Sequence, residues 1–99
     1  MHVAEFTLHA KPGHYEDVAE IYSDFAAGFL SNHPALETVL ILGDEAGGLV
    51  RGIGVFSDRE SADAVNSDPE FAAFNDRIEG FLAGPSERVE LQLLHRYTR

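Results

Sequence analysis

Histidine is the residue type best suited to metal chemistry in this chain of 99 residues, which has five histidines and no cysteine. No two histidines form a His-x-His pair or stand four residues apart. A metal site would therefore have to be assembled from separate elements, and the spacing favours solvated or hydrogen-bonded side chains. We expect no metal ligand set among His2, His9, His14, His33 and His95. The absence of cysteine also excludes disulfides and a thiol nucleophile.

Two other polar side chains could reach a cavity between helices and a sheet. Tyr22 lies on the apolar stripe of a predicted helix, and Asn75 lies at the edge of another. A tyrosine in such a stripe more often packs in the core with its hydroxyl at an edge. For Asn75 a surface position is favoured over a role in the cavity. No nucleophile with an adjacent base is visible in the sequence.

Gly52 and Gly54 lie on the same face of a predicted strand, where they leave out two side chains. The gap could hold a ligand, but strand glycines more often allow another backbone or a helix to approach closely. The pair lacks the third glycine of a dinucleotide-binding loop and the helix that would follow it. Phenylalanine side chains could also fill the gap.

Hydrophobic periodicity predicts the elements that position these residues. Alternation predicts strands over residues 3–10, 38–42, 49–56 and 88–95, and helical spacing predicts a helix over residues 14–30. A glycine-rich hairpin joins the second and third strands, and Pro34 stops the helix.

The second helical stretch, residues 57–85, carries two start signals. Ser57 and Glu60 have the spacing of a capping box. A second start lies at residues 67–70, either as another capping box or as an Asp68 N-cap with Pro69 at the first helical position. The stretch should break near Asn66 and end at residues 84–85.

The order βαββαβ predicts an α+β ferredoxin-like fold, with both helical stretches on one face of a four-stranded antiparallel sheet. The central hairpin is apolar on both faces. Val39, Ile41, Val50 and Phe56 point one way, and Leu40, Leu42, Ile53 and Val55 point the other. No helix remains for the second face, so we expect a homodimer that packs sheet against sheet.

A polar cluster is predicted on one face of the first strand, formed by Glu5, Thr7 and His9, with Arg51 as a further candidate. The cluster could be a small polar site between the two copies. A structural ion pair between Glu5 and Arg51 explains these residues equally well.

Composition limits the partners. The formal net charge is −10, which disfavours nucleic acid and anionic lipid surfaces. No apolar run reaches the ~18 residues of a membrane span, and the N-terminus lacks a signal-peptide pattern. We expect a single domain over residues 1–99 in the cytoplasm, with no membrane or nucleic-acid partner.

The chain resembles the antibiotic biosynthesis monooxygenase family of dimeric α/β barrels. The resemblance covers nearly the whole chain. It rests on the Lys11-Pro12-Gly13 turn before the first helix, the glycine-rich hairpin, the strand ending in Val55-Phe56-Ser57, and the run from Ser67 to Phe74.

The resemblance implies a catalytic or binding barrel without fixing an activity, since the superfamily includes cofactor-independent monooxygenases, haem-degrading enzymes and isomerases. The haem-degrading branch uses Asn, Trp and His where this chain has Phe6, Val65 and Asn75. We therefore expect no cofactor.

Two function classes follow from the resemblance. The first is a cofactor-independent monooxygenase acting on an apolar aromatic or quinol-type substrate, with Tyr22, Asn75 and His95 as donors to a substrate oxyanion. The second is a non-catalytic module for ligand binding or assembly. In either class the apolar substrate or ligand would contact Phe25, Gly52, Gly54, Phe56, Phe71 and Phe74.

Overall fold

The helices and strands follow one another in the predicted order in the computed structural model, which describes residues 1–99. The elements are β1 (His2–His9), α1 (Tyr15–Asn32), β2 (Leu36–Asp44), β3 (Leu49–Phe56), α2 (Arg59–Ala64), α3 (Pro69–Ile78) and β4 (Glu87–Gln92). A 3-10 turn, Val65–Ser67, separates α2 from α3. The ferredoxin-like arrangement and the break near Asn66 are confirmed.

The four strands form one antiparallel sheet in the order β2-β3-β1-β4. Residues that stand opposite each other in neighbouring strands share a face of the sheet. Phe6 stands opposite Gly52 in β3 and opposite Arg88 in β4, so these three residues point toward the helices. We call this side the helix face and the other side the outer face.

The core lies between the helix face and the helices. Val18, Tyr22, Ala26 and Phe29 are the buried residues of α1, and their spacing of three or four residues places them on one stripe. Val18 and Tyr22 belong to the larger buried cluster, and Phe29 belongs to the smaller one. The other members of the larger cluster are Leu8, Val50, Phe71, Phe74 and Ile78, and those of the smaller one are Leu36, Phe56 and Ala62. The sheet and helices therefore hold one another by apolar packing.

Both starts in the second helical stretch use an aspartate as N-cap. Asp68 accepts the Glu70 N–H at 2.8 Å and Pro69 occupies the first helical turn, as one of the two predicted alternatives required. The capping box at Ser57 is wrong, because the neighbouring Asp58 is the N-cap and accepts the Ser61 N–H at 2.7 Å.

Two predicted ends are also wrong. Helix α3 ends at Ile78 and a 3-10 turn follows over Glu79–Phe81. The backbone beyond this turn pairs with the end of β1, where the Ala83 N–H donates to the His9 carbonyl at 2.7 Å. Strand β4 ends at Gln92, which stands opposite His2 at the start of β1. His95 therefore lies outside the sheet. Strand β2 extends beyond its predicted range at both ends.

Candidate functional site

A cavity of about 60 Å³ lies between the helix face of the sheet and the helices. Twelve of its fourteen lining residues are hydrophobic. Its walls include Ala4, Phe6, Tyr22, Phe25, Ala26, Phe29, Leu36, Val39, Gly54, Phe56, Val65, Phe71 and Arg88. Such a surface suits an apolar ligand.

Aromatic rings form much of the wall. Phe6 and Phe71 meet edge to face, with ring centroids 5.3 Å apart and an interplanar angle of 77°. Phe25 stacks on Phe74 with centroids 4.3 Å apart. Phe74 is only 2% exposed and packs in the core behind the lining rings. The cavity therefore has flat walls that match a flat ligand.

Tyr22 brings a hydroxyl into this apolar setting from the buried stripe of α1. Its hydroxyl lies so close to Gly52 that a Cβ on the glycine would collide with it. Burial raises the pKa of Tyr22 well above its ordinary value, although the nearby positive charge of Arg88 partly opposes this. Tyr22 is therefore a neutral hydrogen-bond donor at any physiological pH.

Arg88 is the second polar group of the cavity, and our sequence reasoning missed it. Its Nη2–H donates to the Ala62 carbonyl at 2.9 Å, and its Nη1–H donates to the Asn66 side-chain oxygen. Its Nε–H is buried and has no acceptor. The guanidinium thus holds a positive charge beside the cavity, with Nη2 3.8 Å from Glu90 Oε2, and its buried Nε–H is a donor without a protein partner.

Arg88 could have been predicted as a cavity residue only from the register in which β4 pairs with β1. Alternation within residues 88–95 separates Arg88 and Glu90 from Val89 and Leu91 but does not say which set faces the helices. The pairing of Arg88 with Phe6 decides it, and the polar set takes the helix face. This pairing is not encoded in the local pattern.

Of the other predicted site residues, Phe25, Gly54, Phe56 and Phe71 line the cavity with Tyr22. The space at Gly52 is filled by the Tyr22 side chain rather than left open.

Asn75 and His95 are not brought to this cavity. Asn75 lines a separate surface depression with Ile78, Leu82 and Pro85. His95 lies beyond β4, where it is exposed and its ring contacts Tyr97.

No histidine lines the cavity, so its walls provide no imidazole ligand for a haem iron. Phe6 and Val65, which stand at two of the haem-branch positions, line the cavity with apolar groups only.

The outer face of the sheet carries both an apolar surface and the predicted polar cluster. Arg51 Nε lies 3.3 Å from Glu5 Oε1 and donates to Thr7 Oγ1 at 3.1 Å. The His9 ring lies 3.5 Å from the Glu87 carboxylate. Around this cluster, Leu40, Leu42, Val89 and Leu91 are each about half exposed. The predicted convergence of Glu5, Thr7 and Arg51 is confirmed.

None of the helices is long and apolar enough to cross a bilayer. No protein-family profile and no curated protein matches the sequence.

Solved structures do match the fold. A candidate antibiotic biosynthesis monooxygenase from Nitrosomonas europaea has a TM-score of 0.83 at 17% identity, covering 96% of this chain and 100% of that one. A candidate enzyme of the same name from Caulobacter crescentus has a TM-score of 0.84 at 15% identity, with 95% and 90% covered. A protein of unknown function from Nitrosomonas europaea has a TM-score of 0.83 at 17% identity, with 99% and 93% covered. The chain therefore has the ferredoxin-like fold of proteins named antibiotic biosynthesis monooxygenases.

Proposed function

We propose that the cavity binds a flat apolar ring system bearing one oxygen atom, and that the protein oxidises this substrate with O₂ as a cofactor-independent monooxygenase. The observation that carries the proposal is the pair of polar groups in an otherwise apolar cavity, the neutral Tyr22 hydroxyl and the Arg88 guanidinium. Both can stabilise negative charge on a substrate oxygen, and both act more strongly in an apolar site than in water.

The chemistry needs no external reductant if the substrate supplies the electrons. With anthrone as substrate, the carbonyl oxygen carries the negative charge when the methylene carbon loses a proton to solvent. One oxygen atom of O₂ becomes the new carbonyl of anthraquinone, and the other leaves as water with the two methylene hydrogens. The substrate supplies all four electrons. Tyr22 and Arg88 would stabilise the negative charge on the substrate oxygen by donating hydrogen bonds to it.

The cavity must widen to admit such a substrate. Pockets for drug-sized ligands measure roughly 300–1,000 Å³, whereas this cavity measures about 60 Å³. Phe25 and Phe71 line the wall with ring centroids 6.0 Å apart, and their rings have to move aside when a ligand enters. The proposal therefore includes a ligand-induced opening between α1 and α3.

Oxygen uptake tests the proposal, measured with anthrone and quinol substrates in the presence of a chelator. We expect uptake by the unmodified protein and a loss of about 10²-fold in rate for Tyr22→Phe and for Arg88→Gln. The matched controls are the exposed Ser23→Ala, next to Tyr22 on α1, and the exposed Arg77→Gln on α3. Thermal unfolding of each variant confirms that the fold is kept.

No uptake with any of these substrates would contradict the enzymatic proposal. Loss of uptake in Asn75→Ala or His95→Ala, with none in Tyr22→Phe or Arg88→Gln, would move the reaction away from this cavity. An equal loss of oxygen uptake in Arg88→Gln and Arg77→Gln would show that the effect comes from the change in net charge and not from the position of Arg88.

A non-catalytic ligand-binding module is the second candidate. The observation that favours it is the predominantly apolar lining, which offers only two side chains with polar groups. Mass spectrometry of small molecules that co-purify with the protein separates the two. A retained apolar molecule, together with no oxygen uptake, would support the binding module.

We further propose that a second copy of the chain covers the outer face. Support comes from the half-exposed side chains of Leu40 and Leu42 on β2 and of Val89 and Leu91 on β4. No element of the chain covers them, and removing them from water yields roughly 25 cal/mol per Å². A twofold dimer would also enclose the Glu5–Arg51 pair.

A further inference from the structure

We propose that His33, Asp68 and Glu70 form a binding site for a divalent transition-metal ion such as zinc, at the junction of α1 and α3. His33 follows the last residue of α1, Asp68 is the N-cap of α3, and Glu70 lies in its first turn. One potential ligand atom of each residue lies within 4.8 Å of the other two. The group lies outside the cavity lining, so this proposal does not depend on the proposed function.

The imidazole of His33 is oriented as metal-ligating imidazoles usually are. Its Nδ1 lies 2.9 Å from the Phe29 carbonyl oxygen, which can only accept, so Nδ1 carries the proton. The ring also stacks on Phe29, with centroids 3.6 Å apart. Nε2 is hydrogen-bonded to Asp68 Oδ2 at 2.7 Å, and a metal ion would take the place of the proton between these two atoms. A backbone carbonyl on the other ring nitrogen is the usual support for a ligating histidine.

Each carboxylate has one oxygen that is held by a hydrogen bond not involving His33. Asp68 Oδ1 accepts the Glu70 N–H at 2.8 Å, which leaves Oδ2 toward His33. Glu70 Oε1 accepts from Asn32 Nδ2 at 3.1 Å. Glu70 Oε2 is buried, has no hydrogen-bond partner and lies 3.7 Å from His33 Nδ1, so the Glu70 side chain would turn toward Nε2 to share an ion with Asp68. An unpartnered buried carboxylate oxygen is costly, and a bound cation would remove that cost.

The donor set fits zinc in its common four-coordinate geometry, with one imidazole, two carboxylates and one water. Zinc–ligand distances are about 2.0–2.2 Å, so ligand atoms at the corners of a tetrahedron lie about 3.3–3.6 Å apart. Side-chain rotation would have to close the observed spread of up to 4.8 Å and widen the 2.7 Å between His33 Nε2 and Asp68 Oδ2. The side chains of His33, Asp68 and Glu70 are 31%, 21% and 35% exposed, so an ion can reach them from solvent.

The proposed ion would tie the end of α1 to the start of α3. Phe29, which supports His33, also lines the cavity. The site would therefore fix one wall of the cavity from outside. The role of the ion would be structural. Such a site would overturn the expectation, drawn from histidine spacing alone, that no histidine binds a metal, because its ligands come from two different elements.

Calorimetric titration with zinc chloride tests the site, using chelator-treated full-length protein without a histidine tag at about pH 8, where a free imidazole is neutral. We expect one zinc per chain and a rise in the thermal unfolding temperature. Glu70→Gln keeps the size of the side chain and should lower zinc affinity at least about 10-fold. Cobalt should give a visible absorption band that disappears in His33→Gln. The matched control is His14→Gln, since His14 also pairs with a carboxylate at 2.9 Å beside α1.

Zinc binding that is unchanged in Glu70→Gln would overturn the proposal, as would binding lost equally in His14→Gln. The absence of saturable zinc binding would also overturn it, and would leave His33 as a protonated partner of Asp68. If His33→Gln fails to fold, Glu70→Gln and the cobalt spectrum of the unmodified protein still decide the question.

Discussion

The position of Tyr22 in the cavity depends on a glycine rather than on a hydrogen bond. The Tyr22 ring and hydroxyl occupy the space above Gly52, where any Cβ would collide with them. Gly52 therefore positions a cavity residue although it does not itself line the cavity. The contact between Tyr22 and Gly52 arises because α1 packs on the helix face of the sheet, and the local sequence pattern does not specify that packing.

The substitution Gly52→Ala should displace Tyr22 and destabilise the fold. Overpacking of a filled interior costs about 1–3 kcal/mol, and we expect a loss of that size in the free energy of unfolding, measured by urea denaturation. Gly80→Ala is the control, because a Cβ at Gly80 meets no atom within 4 Å. Equal effects of the two substitutions would show that Tyr22 is not held by the space at Gly52.

At the scale of the elements, local signals predicted most of the fold because amphipathic spacing and caps act within a few residues. The stripe of Val18 and Tyr22 predicted α1, and Asp68 with Pro69 predicted the start of α3. The ends of α3 and β4 depend on pairing with β1, a distant part of the chain. For the same reason Arg88 was missed and His95 was expected nearer the cavity.

The second helical stretch, α2 and α3, provides no histidine to the cavity, and this leads to a prediction about cofactors. Titration with haemin should give no specific shift of the Soret band, because no imidazole lines the cavity. A stoichiometric complex with the spectrum of imidazole-ligated haem would contradict this prediction.

At the scale of the whole molecule, the helix face is covered and the outer face is not. The sequence predicted this asymmetry, since the central hairpin is apolar on both sides while the helices can cover only one. The exposed side chains of Leu40 and Leu42 agree with the predicted orientation of the hairpin. The sequence could not reveal the size of the cavity, because that depends on how the rings of Phe25, Phe71 and Phe74 pack.

Leu40→Glu should convert the proposed dimer to a monomer without unfolding it. Leu40 is 51% exposed in the single chain, so a charge there is tolerated by the monomer but is costly in an apolar interface. Light scattering at micromolar concentration gives the mass. Leu30→Glu is the matched control, because Leu30 is 42% exposed on α1, away from the outer face. A monomeric mass for the unmodified protein would contradict the dimer.

The cavity as the ligand site is the central claim, and intermolecular nuclear Overhauser effects with bound 1-naphthol test it most directly. This probe is a flat apolar ring system with one oxygen. We predict contacts from its ring protons to the methyl groups of Ala4, Val39 and Val65, which line the cavity. Contacts confined to the methyl groups of Leu40 and Leu91 on the outer face, or no contacts at saturating probe, would contradict the claim.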